Sequence, residues 1–124
     1  MKDKSILVAD DDIANYLILK NYLDATGAKV SYVANGMLAV EAFKNNDQFD
    51  IILMDLKMPV MDGHSATRLI RNINADIPII AISATNSNES RIRCMESGFN
   101  DFISKPIESN DLFTKMSKFM VSAI

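Results

Sequence analysis

Ile51-Ile52-Leu53-Met54, closed by Asp55, is the stretch on which the fold turns. Four apolar residues in a row, with no polar alternation, read as a strand inside a sheet covered on both faces. Downstream, Asp62-Gly63 is turn chemistry and a helix start. Ala66, Leu69, Ile70 and Ile73 then follow the i, i+3, i+4, i+7 spacing of a helix. Pro78 opens a second apolar run, Ile79 to Ile82. Asn86 and Glu89 stand at capping-box spacing before another helix, which Gly98 ends. Phe102-Ile103-Ser104 is a short strand, and Leu112, Met116, Phe119 and Met120 are the apolar stripe of a last helix. Upstream, Ile6-Leu7-Val8-Ala9 precedes a helix from about Ile13 to Thr26, with Tyr16, Leu19 and Leu23 on one side and Gly27 at its close. Val30 to Val33 is a strand, Asn35-Gly36 a turn, and Ala39, Ala42 and Phe43 a small helical stripe.

Five strand–helix units in succession predict an α/β domain: a parallel five-stranded sheet with helices on both faces. Right-handed crossovers leave only a few windings. Units of this size suit the flavodoxin-like order 2-1-3-4-5. The 124 residues are expected to form one domain over 1–124, with the segment to Ile124 finishing the fold and no effector domain after it. Hydrophobic residues make up 48% and charged residues 23%, which excludes a disordered or fibrous class. The 13 basic residues against 16 acidic ones, and a pI near 5.0, argue against direct nucleic-acid binding. No apolar run is long enough to span a membrane, and no secretory signal is present, so the expected setting is cytoplasmic. A lone cysteine, Cys94, makes no internal disulfide and no structural zinc site.

In such a sheet, ligands bind beyond the carboxyl ends of the strands. There the sequence places Asp10, Asp11 and Asp12 after the first strand and Asp55 after the third. Ser83 follows the fourth, and Ser104 with Lys105-Pro106 the fifth. Three carboxylates about 5 Å apart repel by roughly 3 kcal/mol per pair at an effective dielectric of 20. The total approaches the stability of a whole domain. That arrangement calls for a cation. Oxygen ligands without His or Cys favour a hard ion, Mg²⁺ before Zn²⁺. A carboxylate beside such an ion, facing an amine and a hydroxyl, is equipped to accept a phosphoryl group.

At these residues the chain resembles the receiver domain of two-component response regulators. The resemblance rests on Ile6-Leu7-Val8-Ala9-Asp10-Asp11, Ile52-Leu53-Met54-Asp55, Met58-Pro59-Val60-Met61-Asp62-Gly63, Ile82-Ser83-Ala84 and Lys105-Pro106. The ordered set covers essentially the whole chain. Asn15 and Asn35-Gly36 resemble receivers attached to hybrid sensor kinases more than those of DNA-binding regulators.

The family implies that Asp55 is the phosphoacceptor, attacking the phosphohistidine of a histidine kinase or histidine phosphotransfer protein. Asp10 and Asp11 would hold Mg²⁺ (or Mn²⁺) with Asp55 and the backbone carbonyl of Lys57. Lys105 would pair with the phosphoryl group. Ser83 and Phe102 match a hydroxyl-plus-aromatic switch, acting on a downstream protein through the face of the fourth helix, fifth strand and fifth helix. Lys57 and Thr85 occupy variable positions that tune phosphoryl lifetime. Such a domain is not an enzyme in the ordinary sense, although it catalyses its own phosphorylation and dephosphorylation. It is either free-standing or part of a hybrid histidine kinase.

Simpler roles suit other residues. Asp12 is a helix cap. His64 belongs to the first turn of a helix, and Cys94, Met95, Met116 and Met120 to packing. A haloacid-dehalogenase-type phosphatase would need Asp-x-Asp followed by a Thr or Val pattern after the first strand, and a cap domain. A flavodoxin-like electron carrier would need a Ser/Thr/Gly-rich loop there. A degenerate receiver acting only as a surface sits poorly with Asp55 and Lys105 both in place.

Overall fold

A computed structural model describes residues 1–46 and 48–120. Strands and helices alternate strictly: β1 (Ser5–Ala9), α1 (Ile13–Asp24), β2 (Lys29–Val33), α2 (Gly36–Asn45), β3 (Ile51–Asp55), α3 (Gly63–Ile73), β4 (Ile79–Ser83), α4 (Asn88–Ser97), β5 (Asp101–Ser104) and α5 (Ser109–Met120). All strand pairs are parallel, in the order β2-β1-β3-β4-β5 expected from the sequence. The expected closing of the fold by residues 121–124 falls outside the described residues. Among the described residues, no helix is long and apolar enough to cross a membrane.

The two-residue period of the strands sorts the sheet into two cores. Leu7, Ala9, Ile52, Met54, Ile79 and Ala81 face α2, α3 and α4, packing with Phe43, Ile70, Cys94 and Phe102. Ile6, Val8, Ile51, Leu53, Ile80, Ile82 and Ile103 face α1 and α5, packing with Leu19, Leu23, Leu112 and Met116. Each buried Leu, Ile or Met contributes about 1.5–3 kcal/mol. That is why β3 and β4 need apolar residues at every position rather than at alternate ones.

Helix starts follow local hydrogen-bond chemistry. Asp12, Asn35 and Asp62 cap α1, α2 and α3 by accepting from the backbone N–H groups of Ala14, Leu38 and Ser65 at 2.8–2.9 Å. Asn35-Gly36 therefore begins α2 rather than forming a separate turn. The expected Asn86/Glu89 capping box is displaced by one residue. Ser87 is the α4 cap and accepts from Ser90, while Asn86 takes both Arg91 guanidinium bonds instead. Helix α1 stops at Asp24, short of the expected Thr26, whose hydroxyl takes the Leu23 carbonyl. In α3, Ala66 and Ile70 are buried, but Leu69 and Ile73 of the expected stripe are more than two-fifths exposed. Thr67 and His64 hold buried positions instead, where α3 packs against α2 and α4.

Candidate functional site

Strand register makes the site. Ala9 lies opposite Met54, so the next residues along, Asp10 and Asp55, emerge side by side at the same rim. Asp55 lies opposite Ile82, and Ser83 opposite Ser104, so the ends of β4 and β5 are level with it. The Lys105 N–H donates to the Ser83 carbonyl at 2.8 Å, and the Lys105–Pro106 peptide is cis. The lysine thus turns back over the rim. Its Nζ sits 3.5 Å from both Asp55 carboxylate oxygens.

One carboxylate oxygen from each of Asp10, Asp11 and Asp55 falls within 4.8 Å of the other two. Asp10 and Asp55 are buried and Asp11 is exposed, so the cluster has a closed floor and an open mouth. Asp10 is gripped by its surroundings. Its Oδ1 accepts from the Asp12 N–H at 2.8 Å, and its carbonyl accepts from the Tyr32 hydroxyl at 2.7 Å. Its Oδ2 is buried with no hydrogen-bond partner, one of two such side-chain atoms among the described residues. An unpartnered buried carboxylate oxygen facing two further carboxylates is what a bound hard cation would satisfy. The residues present therefore fit a divalent ion with oxygen ligands.

Electrostatics agree with geometry. Burial, with the nearby Asp55 charge, pushes the Asp10 carboxyl up to about 6, against the pull of the Asp12 N–H and Lys105. Burial also raises Asp55 above the ordinary carboxylate range, while the Lys105 charge holds it down. Both acids are thus pushed toward protonation, chiefly by burial.

A cavity of 870 Å³ opens over the cluster, lined on one side by Asp11, Asp55, Lys57, Ser83, Thr85 and Lys105. The sequence-predicted site residues are thereby brought together, except that Asp10 lies in the floor and Phe102 away from the opening. Phe102 is buried under Arg91, whose guanidinium carbon is 5.5 Å from the ring centre. His64, read from the sequence as a first-turn helix residue rather than a site residue, lies in the first turn of α3 and also lines the cavity, and the polar lining residues Ser90 and Arg93 escaped the sequence reading. His64 Nδ1 lies 2.7 Å from Ser97 Oγ, which itself donates to the Arg93 carbonyl at 2.9 Å. With that hydroxyl proton committed, Nδ1 is the donor and Nε2 keeps the lone pair. No local sequence signal links positions 33 apart.

Gly63 holds the site's floor to α3. Its N–H donates to the Leu56 carbonyl at 2.9 Å, and a β-carbon there would overlap the Asp55 carbonyl oxygen. Gly63→Ala should therefore cost about 1–3 kcal/mol and displace Asp55. Denaturant midpoints and divalent-ion titration of the variant check this; unchanged values in both would contradict it.

Comparison with known proteins places this geometry. The family model for the response regulator receiver domain matches residues 6–117. The chain belongs to that family. It is 36% identical over 110 residues to the peroxide stress-activated histidine kinase mak1 of Schizosaccharomyces pombe, covering 83% of this chain and 7% of that protein. It is 35% identical over 112 residues to the sensor histidine kinase GacS of Pseudomonas protegens, covering 86% of this chain and 12% of that protein. The chain thus spans a small fraction of these curated relatives. Among solved structures, it superposes with a TM-score of 0.88 and 34% identity on the receiver domain of a Pseudomonas aeruginosa sensor histidine kinase, crystallised with a magnesium ion in its active site cleft, covering 96% of this chain and 98% of that one. It also matches, at TM-score 0.89 and 26% identity, a co-crystal of the Saccharomyces cerevisiae phosphotransfer protein Ypd1 with the receiver domain of Ssk1, covering 95% of this chain and 89% of the matched chain. The chain is a receiver domain of two-component signalling. The phosphatase and flavin-carrier readings find no support in these matches.

Proposed function

We propose that Asp55 accepts a phosphoryl group from the phosphohistidine of a histidine kinase or histidine phosphotransfer protein. One observation carries this reading: the Asp55 carboxylate lies within the Asp10/Asp11 cluster and 3.5 Å from Lys105 Nζ. A carboxylate oxygen attacks phosphorus, the phosphorus–nitrogen bond breaks, and the imidazole leaves with the electron pair. Attack of water on the phosphoryl group later returns the carboxylate and inorganic phosphate, a step the domain promotes itself. Asp10, Asp11, Asp55 and the Lys57 carbonyl would hold Mg²⁺, with Mn²⁺ suited to the same oxygen set. The ion, when bound, supplies positive charge to the phosphoryl oxygens. Lys105 adds a second positive charge, and Ser83 donates a hydrogen bond. Lys57 and Thr85, at the cavity wall, tune how long the phosphoryl group survives.

Ile13, Leu17 and Ile18 expose apolar side chains on the α1 flank beside Asp11 and Asp12, a surface suited to the incoming partner. Ser83 and Phe102 pass the change to a downstream protein on the α4–β5–α5 face. The whole of residues 1–124 acts as one receiver domain, in a cytoplasmic setting, and its resemblance to sensor kinases favours a hybrid-kinase context over a free-standing regulator. Incubation with a small phosphodonor and Mg²⁺ tests the reading: intact mass should rise by one phosphoryl group.

Lys105→Ala should leave the domain folded, within about 1 kcal/mol, because the lysine is a quarter exposed and its ion pair is long. The phosphorylated variant should bind downstream partners no better than the unphosphorylated one. Equal partner affinity of phosphorylated variant and wild type would remove Lys105 from the switch.

A further inference from the structure

A chain of hydroxyl groups runs from the cavity to the start of α4. Ser83 Oγ is 3.2 Å from Thr85 Oγ1, which is 2.9 Å from Ser90 Oγ. Ser87 Oγ donates to Ser90 Oγ at 3.0 Å and accepts from the Ser90 N–H at 3.1 Å, as the α4 cap. Thr85 N–H also donates to Ser83 Oγ, at 3.1 Å.

Each hydroxyl has one proton and two lone pairs, so the chain can run in either direction or have Thr85 accept from both neighbours. The Ser87 proton is on Ser90. In one direction, Ser90 donates to Thr85 and Thr85 to Ser83, leaving the Ser83 proton free for the cavity. In the other, Ser83 donates to Thr85 and Thr85 to Ser90, leaving the Ser90 proton without a partner in the chain. An anion on Asp55 within reach of Ser83 selects the first direction. A hydroxyl that donates becomes a better acceptor, so each link then strengthens the next, as far as the Ser90 N–H held by Ser87.

The opposite end of α4 is pinned. Arg71 Nε donates to the Gly98 carbonyl at 2.9 Å, and His64 holds Ser97. The stretch from Ala84 to Glu89 is exposed. The first turn is therefore the part of α4 free to respond.

We propose that Thr85 and Ser90 are positioning residues that relay phosphorylation of Asp55 to the N-cap of α4, tightening its first turn. This rests on the reading of Asp55 as acceptor and adds a route from Ser83 separate from the Phe102 ring.

Amide hydrogen exchange of the full chain, followed by NMR at a phosphoryl content fixed by intact mass, tests it. In the wild type, phosphorylation should slow exchange at Ser90 roughly threefold to fivefold, the effect of a strengthened cap. Thr85→Val, which keeps the shape and removes the hydroxyl, should abolish that slowing; Thr85→Ser should retain it. Thr85 is exposed, so neither variant threatens the core. Faster exchange on phosphorylation, no change in the wild type, or equal slowing in Thr85→Val would each overturn the relay. Failure to gain phosphoryl mass at all would overturn the acceptor reading and the relay with it, and the mass measurement tells the two failures apart.

Discussion

Asp55→Asn should take up no phosphoryl group from a small phosphodonor or from a phosphorylated histidine protein, under conditions that label the wild type completely. The amide has nearly the carboxylate's shape, so β3 and its packing are retained. Its nitrogen and neutral oxygen, however, cannot form the mixed anhydride that a carboxylate makes with phosphate. The largest part of the effect is therefore chemical rather than structural. Lys105 loses its anionic partner, and the acidic cluster loses one of its three charges. The variant should accordingly bind a divalent ion more weakly. Intact mass and sensitivity of the label to hydroxylamine, which cleaves acyl phosphates, measure the outcome. Full labelling of the variant would place the acceptor elsewhere, with Asp11 the exposed carboxylate of the cluster.

Without divalent ions, the protein should lose stability as pH rises from about 4 to 7. The sign follows from Asp10. Its folded-state carboxyl titrates near 6 against 3.8 for an ordinary aspartate, so between these values the folded state holds a proton that the unfolded chain has released. Stability then falls with rising pH and is lowest above about 6. At about 1.4 kcal/mol per unit, the loss approaches 3 kcal/mol, shared with the coupled Asp55. Asp62 acts oppositely and at lower pH: its bond from the Ser65 N–H holds it below the ordinary value, so its contribution is present at neutral pH and lost on acidification. Maximum metal-free stability should thus lie near pH 4. Mg²⁺ at about 100 times its dissociation constant should add roughly 2.7 kcal/mol at pH 7 and shift the maximum upward.

Asp10→Asn isolates this effect. The amide oxygen can keep the bond from Asp12, and the amide nitrogen replaces the unpartnered Oδ2 with a donor facing carboxylates. The variant should be about 1–3 kcal/mol more stable than the metal-free wild type at pH 7 and should lose most of its Mg²⁺ stabilisation. Denaturant unfolding from pH 4 to 7.5, with and without Mg²⁺, measures both. A flat metal-free profile, or an Asn variant no more stable than wild type, would contradict the assignment.

Much of this protein is legible in sequence because the relevant signals are local. Uninterrupted apolar runs such as Ile51 to Met54 and Ile79 to Ile82 mark strands buried on both faces, and Asp12 and Asp62 announce helices through bonds two or three residues away. The family resemblance then attached roles to Asp10, Asp11, Asp55, Ser83 and Lys105. Boundaries were less legible at α4, where the Asn86/Glu89 spacing suits a capping box but Ser87 is the cap. What only the tertiary structure decided depends on through-space distance. Register sets Asp10 beside Asp55, burial leaves Asp10 Oδ2 without a partner, and α3–α4 packing directs His64 to Ser97. Arg91 over Phe102 and the hydroxyl path from Ser83 to Ser87 arise likewise from how α4 lies on the sheet. Hydrophobic periodicity determines which face of an element is buried, but the atom it meets there is set by how whole elements pack.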